Sequence, residues 1–302
     1  MAAEMSVQPP ARPRSRERAR AGTAVGVDHV RGGWRMVGRY VVLVAVALLV
    51  LFPIYTTLVA SLKPGSKVLD HPLLPGNFTL QVFRDAWTEG RLGRYLWNST
   101  VVAVLVTVAQ IATSLMSAYA FAFLRFPLKS FWFVVFLGTL LVPLEATLVV
   151  NRRTIDSLGW LNSYQGLAVP FFATAFGTFL MRQVFLQIPK ELREAGQMDG
   201  LGHWGFMREV AIPLVRPTLG ALALFSFLTS WNQYLWPNLI TTEEKMNTVQ
   251  TGLRLLNSSV PDIERFNVPI AGTVIAALPI ALVLIVFQRQ LVRGLTAGAV
   301  KG

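Results

Sequence analysis

The stretch ELREAGQMDGLGHWGFMREVAIPLVRP, Glu191 to Pro217, decides how the rest of this chain is read. It carries Glu191, Arg193, Glu194, Asp199, Arg208, Glu209 and Arg216, with glycines spaced between them. On both sides lie long apolar stretches almost free of charge. Working outward, cutting the chain at its charged residues leaves six candidate spans. Residues 40–62, 95–124, 157–181, 217–242 and 266–288 are uncharged, and residues 130–151 hold one charge, Glu145. About 20 apolar residues suffice to cross a ~30 Å hydrocarbon core as a helix. Helices are also what satisfies every backbone group over such lengths. Prolines at Pro53, Pro143, Pro170, Pro237 and Pro279 predict kinks and shortened helices.

Composition agrees with an all-α integral membrane protein. The 302 residues are 53% hydrophobic and 15% charged, with mean hydropathy +0.49. A soluble domain carries about a quarter charged residues. The net charge of +12 does not point to nucleic acid, because the basic residues fall at the N-terminus and between apolar runs. That placement is a topology signal. With the N-terminus inside, 18 of the 28 Lys and Arg lie in inner segments and ten in outer ones. Both termini are therefore expected in the cytoplasm. The absence of cysteine excludes disulfides and thiolate chemistry. His29, His71 and His203 lie far apart and show no metal-ligand spacing.

Three regions follow: an Arg-rich arm over residues 1–39, a membrane domain over 40–290 and a cytoplasmic tail over 291–302. The arm's Arg, Pro and Ala content predicts disorder. Its arginines set topology and attract anionic membrane lipid. The first apolar run is longer than a signal-peptide core, so it is an anchor.

The insert over residues 187–216 falls on the cytoplasmic side of this topology, between spans four and five. Pro189 suits a first helical turn, and Glu191 and Glu194 suit the positive end of that helix. Leu192, Ala195 and Met198 form a narrow apolar stripe, while Ala195 and Gly196 allow close approach. Gly200 and Gly202 are expected to end the helix. Trp204, Phe206 and Met207 offer a second apolar cluster, and Pro213 and Pro217 are expected to turn the chain into span five. Two readings stay open on these residues: a helix that links two spans, or a docking element for a cytoplasmic partner.

Glu194-Ala195-Gly196, then Asp199-Gly200, nine residues, then Val210-Ala211-Ile212-Pro213 resembles the cytoplasmic loop signature of ABC importer permeases. In that family the loop reads Glu-Ala-Ala, three residues, Gly, nine residues, Ile-x-Leu-Pro. This chain departs at Gly196, Val210 and Ile212, each keeping small or aliphatic character; Gly196 lowers helix propensity by about 1 kcal/mol relative to Ala. The ending Gly294 to Gly302 is similar to the tail of maltose-permease-G-like carbohydrate permeases. Leu161 to Leu167, Trp231 to Pro237 and Gln288 to Leu295 look closest to the glycerol-3-phosphate permease E subgroup.

The resemblance implies six transmembrane helices with a coupling helix that seats on an ATPase subunit, formed around Glu191, Glu194, Ala195, Gly196, Asp199, Gly200 and Pro213. It implies a bacterial inner-membrane importer built with a second permease, two ATPase subunits and an external substrate-binding protein. ATP and Mg would be bound by the ATPases, with no cofactor in this chain. The implied cargo is glycerol-3-phosphate or a glycerophosphodiester such as glycerophosphocholine, with a sugar or oligosaccharide as the alternative.

Glu145 is the one ionisable residue inside a span, a costly placement that marks function. If span three enters near Phe131, Glu145 lies about 21 Å along it. Span five entering at Pro217 puts Asn232 about 22 Å from the same side. Glu145, Asn232, Gln233 and Tyr234 are thus expected at similar depth, and Thr174 with Thr178 presents a polar face on span four. These six are the expected substrate pathway. The competing roles are an ion pair of Glu145 with Arg152 or Arg153, and interhelical hydrogen bonds for Asn232 and Gln233. A carboxylate there repels phosphate and suits a choline cation. Trp231 and Trp236 are expected as membrane-interface aromatics, and Ser114, Ser117, Ala118 and Gly138 as close-packing sites. The chain has no phosphate-binding G-x-x-x-x-G-K-[ST] loop and no catalytic constellation. An ion-driven carrier with Glu145 as proton site and a membrane-embedded enzyme are the remaining rivals.

Overall fold

The computed structural model describes residues 28–65, 73, 76, 78–259 and 265–296. Residues 1–27 of the expected arm and the last six residues of the tail lie outside them, while residues 28–39 and 291–296 are helical. Every regular element among the described residues is helical. The chain divides into two units, residues 1–55 and 56–302.

The first unit holds most of α1 (Asp28–Leu62). Its span Met36–Leu62 has mean hydropathy 2.6, and none of the span's most apolar stretch is buried within the chain. Val41, Leu48 and Leu49 are each more than half exposed. A helix of this length that is apolar all round has the character of a membrane span.

The second unit begins with the last two turns of α1 and continues through α2 (Gln81–Glu89) into α3 (Leu92–Phe123), the longest described helix lying wholly within it. Then come α4 (Lys129–Gly138), α5 (Leu144–Ser157), α6 (Tyr164–Ala168) and α7 (Ala175–Phe185). The expected insert forms α8 (Lys190–Met198) and α9 (His203–Phe206). After it follow α10 (Ile212–Trp231), α11 (Leu235–Ile240), α12 (Val249–Ser259) and α13 (Asn267–Thr296). Helix α3 is central, packing on α7 and α10, and α10 packs in turn on α13. Gly177 of α7 shows why these helices approach so closely. A Cβ there would lie 2.2 Å from Ser114 Oγ on α3 and 3.2 Å from Leu222 on α10. Gly138, expected to serve packing as well, faces open space.

Among the described residues, four helices are long and apolar enough to cross a membrane: 36–62, 92–123, 203–231 and 267–288. Six spans result only if two bent pairs each count as one. The expected span 130–151 is the first, with segments 129–141 and 145–157 meeting at 99°. Val142 (ψ 114°) and Pro143 (ψ 136°) are extended there, because the proline ring disfavours helical backbone in the residue before it. The expected span 157–181 is the second: residues 164–171 and 175–185 meet at 44°, with Thr174 extended. The carbonyls this break releases are taken up by α3. Gln110 Nε2 donates to Phe171 O (2.8 Å) and Thr113 Oγ1 to Phe172 O (2.8 Å). Such capping by a neighbouring helix lets a broken helix persist in lipid.

The expected span beginning at Pro217 needs correction. Its helix starts at His203 and runs through a π-helical turn, Met207–Ala211, straight into α10. Pro213 and Pro217 do not redirect the chain. Pro213 lies in the first turn of α10, where its missing N–H leaves a carbonyl one turn earlier without its usual donor, and the wider π turn absorbs the mismatch. Trp231 and Trp236 are corrected too: both are 1% exposed core residues, and Trp236 Nε1 donates to Gly166 O at 3.0 Å.

Candidate functional site

Helix α8 is bounded by its own sequence. Pro189 (φ −56°, ψ 142°) stands at the N-cap, one position before the expected first turn, and Glu191 lies in that turn. At the other end Gly200 adopts φ +77°, a left-handed conformation open to glycine. Gly200 N donates to Gln197 O (3.1 Å) and Leu201 N to Gly196 O (2.9 Å). These two bonds are the paired closure that ends helices at a left-handed glycine. Gly196 is buried, and a Cβ on it would lie 3.2 Å from Phe206 Cδ2. The glycine at this position therefore matches the ring that packs over it.

That ring belongs to an aromatic seat at the end of α3. Phe206 meets Phe123 edge-on at 5.8 Å and 87°, and Phe123 packs on Phe185 at 5.7 Å. Tyr119, one turn earlier, lies 5.0 Å from Phe123 and shares a 3.1 Å hydrogen bond with His203 Nδ1. The Arg193 guanidinium sits 5.7 Å from the Phe123 ring centre. Lys129 Nζ donates to Ala122 O and Leu124 O, and Arg182 Nε to Phe121 O. Cations at a helix C-terminus complement its dipole. The seat thus ties α8 to α3 through one face. The other face leaves Glu191, Glu194 and Asp199 exposed, with Met198 83%, Trp204 67% and Leu192 40% exposed beside them. These side chains and carboxylates are the part of α8 that its own bundle leaves uncovered. Ala195 is half-buried, and Pro213 stands apart in α10.

The six expected pathway residues fare differently. Glu145 lies beyond the 99° bend, in the exposed first turn of α5, so its expected depth along one straight helix does not hold. It makes no hydrogen bond or ion pair among the described residues; Arg152 donates instead to Leu239 O at 3.0 Å. Asn232 caps the end of α10, where its Nδ2 donates to Leu228 O (2.9 Å). Gln250 of α12 reaches Asn232 Oδ1 at 3.5 Å. Gln233 and Tyr234 follow half-buried in the turn before α11. Thr174 is half-buried at the bend before α7. Thr178 is 1% exposed, donates to Thr174 O and shares a 2.7 Å hydrogen bond with Ser117 of α3. Its hydroxyl is consumed in helix packing, so the expected polar face on that helix reduces to Thr174.

With this geometry in place, residues 37–297 match the family described as binding-protein-dependent transport system inner membrane component. The chain belongs to this family. The permease is 38% identical over 265 residues to the sn-glycerol-3-phosphate transport system permease protein of Brucella abortus (strain 2308), covering 85% of this chain and 94% of that one. It is 37% identical over 264 residues to the protein of the same name from Yersinia enterocolitica, with the same coverage. In fold it is similar to the crystal structure of a bacterial ABC transporter involved in the import of the acidic polysaccharide alginate. That match has TM-score 0.74 and 22% identity, and covers 87% of this chain and 96% of that one. The permease is thus a multi-pass inner-membrane component of an ABC importer, a transporter part rather than a catalyst, working in a complex with ATPase and substrate-binding partners.

Several residues that organise the permease escaped the sequence reading. Asn98 Nδ2 donates to Lys245 O and Asn247 O (both 2.9 Å), while Tyr164 OH donates to Asn98 Oδ1 at 2.7 Å. Asn162 (φ +54°) accepts from Thr242 N and Glu243 N at 2.7 and 2.9 Å. Gln110, Thr113, Tyr119 and Phe123 belong with them. Polar residues inside a long apolar span were the available signal.

Proposed function

We propose that this permease forms one half of a heterodimeric pathway importing sn-glycerol 3-phosphate or glycerophosphodiesters such as glycerophosphocholine. ATP hydrolysis in two partner ATPase subunits drives it, and an external binding protein delivers the cargo. The observation that carries the substrate class is 38% identity to a glycerol-3-phosphate permease across 85% of the chain. Both termini lie in the cytoplasm, and so does α8. The strongly apolar α1 suits contact with membrane lipid and the second permease.

In this reading α8 transmits force. Its aromatic seat fixes one face to α3, leaving Glu191, Glu194, Met198 and Trp204 to engage an ATPase. ATP-dependent closure of the ATPases then moves α8 and switches the bundle between inward- and outward-facing states. Glu145, Asn232, Gln233, Tyr234 and Thr174 line the pathway, with Glu145 favouring the choline cation of a zwitterionic cargo. Import of a sugar by the same machine is the second reading, favoured by the fold shared with the alginate importer. Membership in a binding-protein-dependent family leaves the ion-driven carrier without support.

Two variants of the assembled importer in proteoliposomes test the proposal. Glu194→Arg should insert and assemble normally yet lose ATP-driven uptake; normal uptake would refute the coupling role. Glu145→Gln should reduce glycerophosphocholine uptake more than sugar uptake, and an equal loss, or none, would refute the pathway role.

A further inference from the structure

A phosphate ester needs cations, and charge-assisted contacts from arginine are the strongest it can make. None of the pathway residues proposed above is a cation, and Glu145 opposes an anion. Cations do converge elsewhere. A cavity of about 480 Å³ opens at the start of α3, with Arg91 at its N-cap, Arg94 in its first turn and Lys245 in the segment before α12. That volume lies within the range of small-molecule sites.

The charges of this cleft are unevenly spent. Arg91 pairs with Glu244 at 3.1 Å, and Glu244 also accepts from Tyr95 OH at 3.2 Å. Lys245 pairs with Glu243 at 2.6 Å. The Arg94 guanidinium has no hydrogen bond or ion pair among the described residues. One cation is therefore uncompensated, beside two that can share their partners. The apolar wall is built deliberately close: a Cβ on Gly93 would lie 3.0 Å from Trp87 Cζ2, so a glycine there lets the indole lie along the turn. Trp87 and Trp97, 49% and 65% exposed, have the character of membrane-interface aromatics. The cleft thus stands where both a soluble ester and a lipid headgroup can reach it.

We propose that this cleft binds the phosphate group of a phosphate ester on the outer side of the permease, ahead of the transmembrane pathway. The inference rests on the substrate class and orientation proposed above. It separates two tasks within one chain: Arg94 with its neighbours selects the anion outside, and the uncharged or acidic pathway carries the remainder of the molecule. The phosphate comes either from sn-glycerol 3-phosphate itself or from a phospholipid headgroup.

The test uses the full importer with its binding protein in vesicles of phosphatidylcholine, with and without phosphatidylglycerol, following sn-glycerol 3-phosphate uptake. Arg94→Gln should raise KM about tenfold, the loss of about 1.4 kcal/mol, and Arg94→Lys should recover most of it. If Arg94→Gln leaves KM unmoved but abolishes a response of uptake or ATP hydrolysis to phosphatidylglycerol, the site stands and its phosphate is the lipid's. Should the unmodified importer carry no sn-glycerol 3-phosphate while Arg94→Gln still abolishes the lipid response, the cargo reading fails and the cleft survives. A variant that matches the unmodified importer in KM and in lipid response overturns the inference.

Discussion

Removing the Phe206 ring should release α8 from α3, and the structure sets the size of the effect. Phe206 is 4% exposed and packs edge-on against Phe123 at 5.8 Å. Truncating a buried Phe to Ala costs about 3–5 kcal/mol, of which an aromatic pair supplies about 0.5–1.5 kcal/mol. Local opening of α8 is limited by this seat, so its amides in Phe206→Ala should exchange with solvent at least about 100-fold faster, the equivalent of ~3 kcal/mol. Gly196 makes the reasoning sharper. Gly196→Ala gains about 1 kcal/mol of helix propensity but brings a methyl to 3.2 Å from the ring, so the two effects should nearly cancel. In the Phe206→Ala background the opposing ring is gone. There the same substitution should slow α8 exchange about 20-fold, through propensity plus burial of a methyl worth ~0.8 kcal/mol. Hydrogen exchange read by mass spectrometry on the assembled importer measures all four forms. Equal effects of Gly196→Ala in both backgrounds, or unchanged α8 exchange in Phe206→Ala, would refute the seat.

Gln110→Leu removes the donor to Phe171 O and should destabilise the permease by about 1 kcal/mol, the usual scale of an interhelical bond in lipid. Unfolding in bicelles reads it, with Val108→Leu at an exposed site of α3 as the control. Asn162→Ala removes a left-handed residue that accepts from Thr242 N and Glu243 N. Exchange over residues 241–248 should rise more than in Asn162→Gly, which keeps the backbone freedom and loses only the bonds.

The helical class was legible because hydropathy over 20 residues reports directly on partition into lipid, and α8 was legible because its stop signals are local. Pro189 and Gly200 act within one turn of themselves. The failures share the opposite property. Whether the helix before Thr174 can break depends on what receives the freed backbone, and there the receivers, Gln110 and Thr113, are distant in sequence. Pro213 and Pro217 read as turns because proline breaks helices in isolation, yet Pro213 sits in a first turn beside a π segment that accommodates it. Trp231 and Trp236 read as interface aromatics because their burial depends on neighbours from other helices. For the pathway, a lone carboxylate drew attention by its rarity, although its depth depended on the assumption of a straight helix.

In the coupling role proposed for α8, the contrast between intact and broken helices decides where a displacement can travel. Helix α3 has 32 residues, about 48 Å at 1.5 Å each, longer than the hydrocarbon core. At one end Phe123 and Tyr119 hold the α8 seat. At the other, Asn98 takes the carbonyls of Lys245 and Asn247, and Ser99 Oγ accepts from Val249 N at 2.8 Å. A displacement of α8 that carries α3 with it must therefore also load the segment before α12, next to Asn232 through Gln250. The broken pairs α4–α5 and α6–α7 lie alongside, with carbonyls of the second break held by Gln110 and Thr113 rather than by a continuing helix. Side-chain caps can exchange partners at far smaller cost than an unbroken helical ladder. In the coupling proposed above, the unbroken α3 is the lever, and the capped break beside it is the place for the bundle to yield.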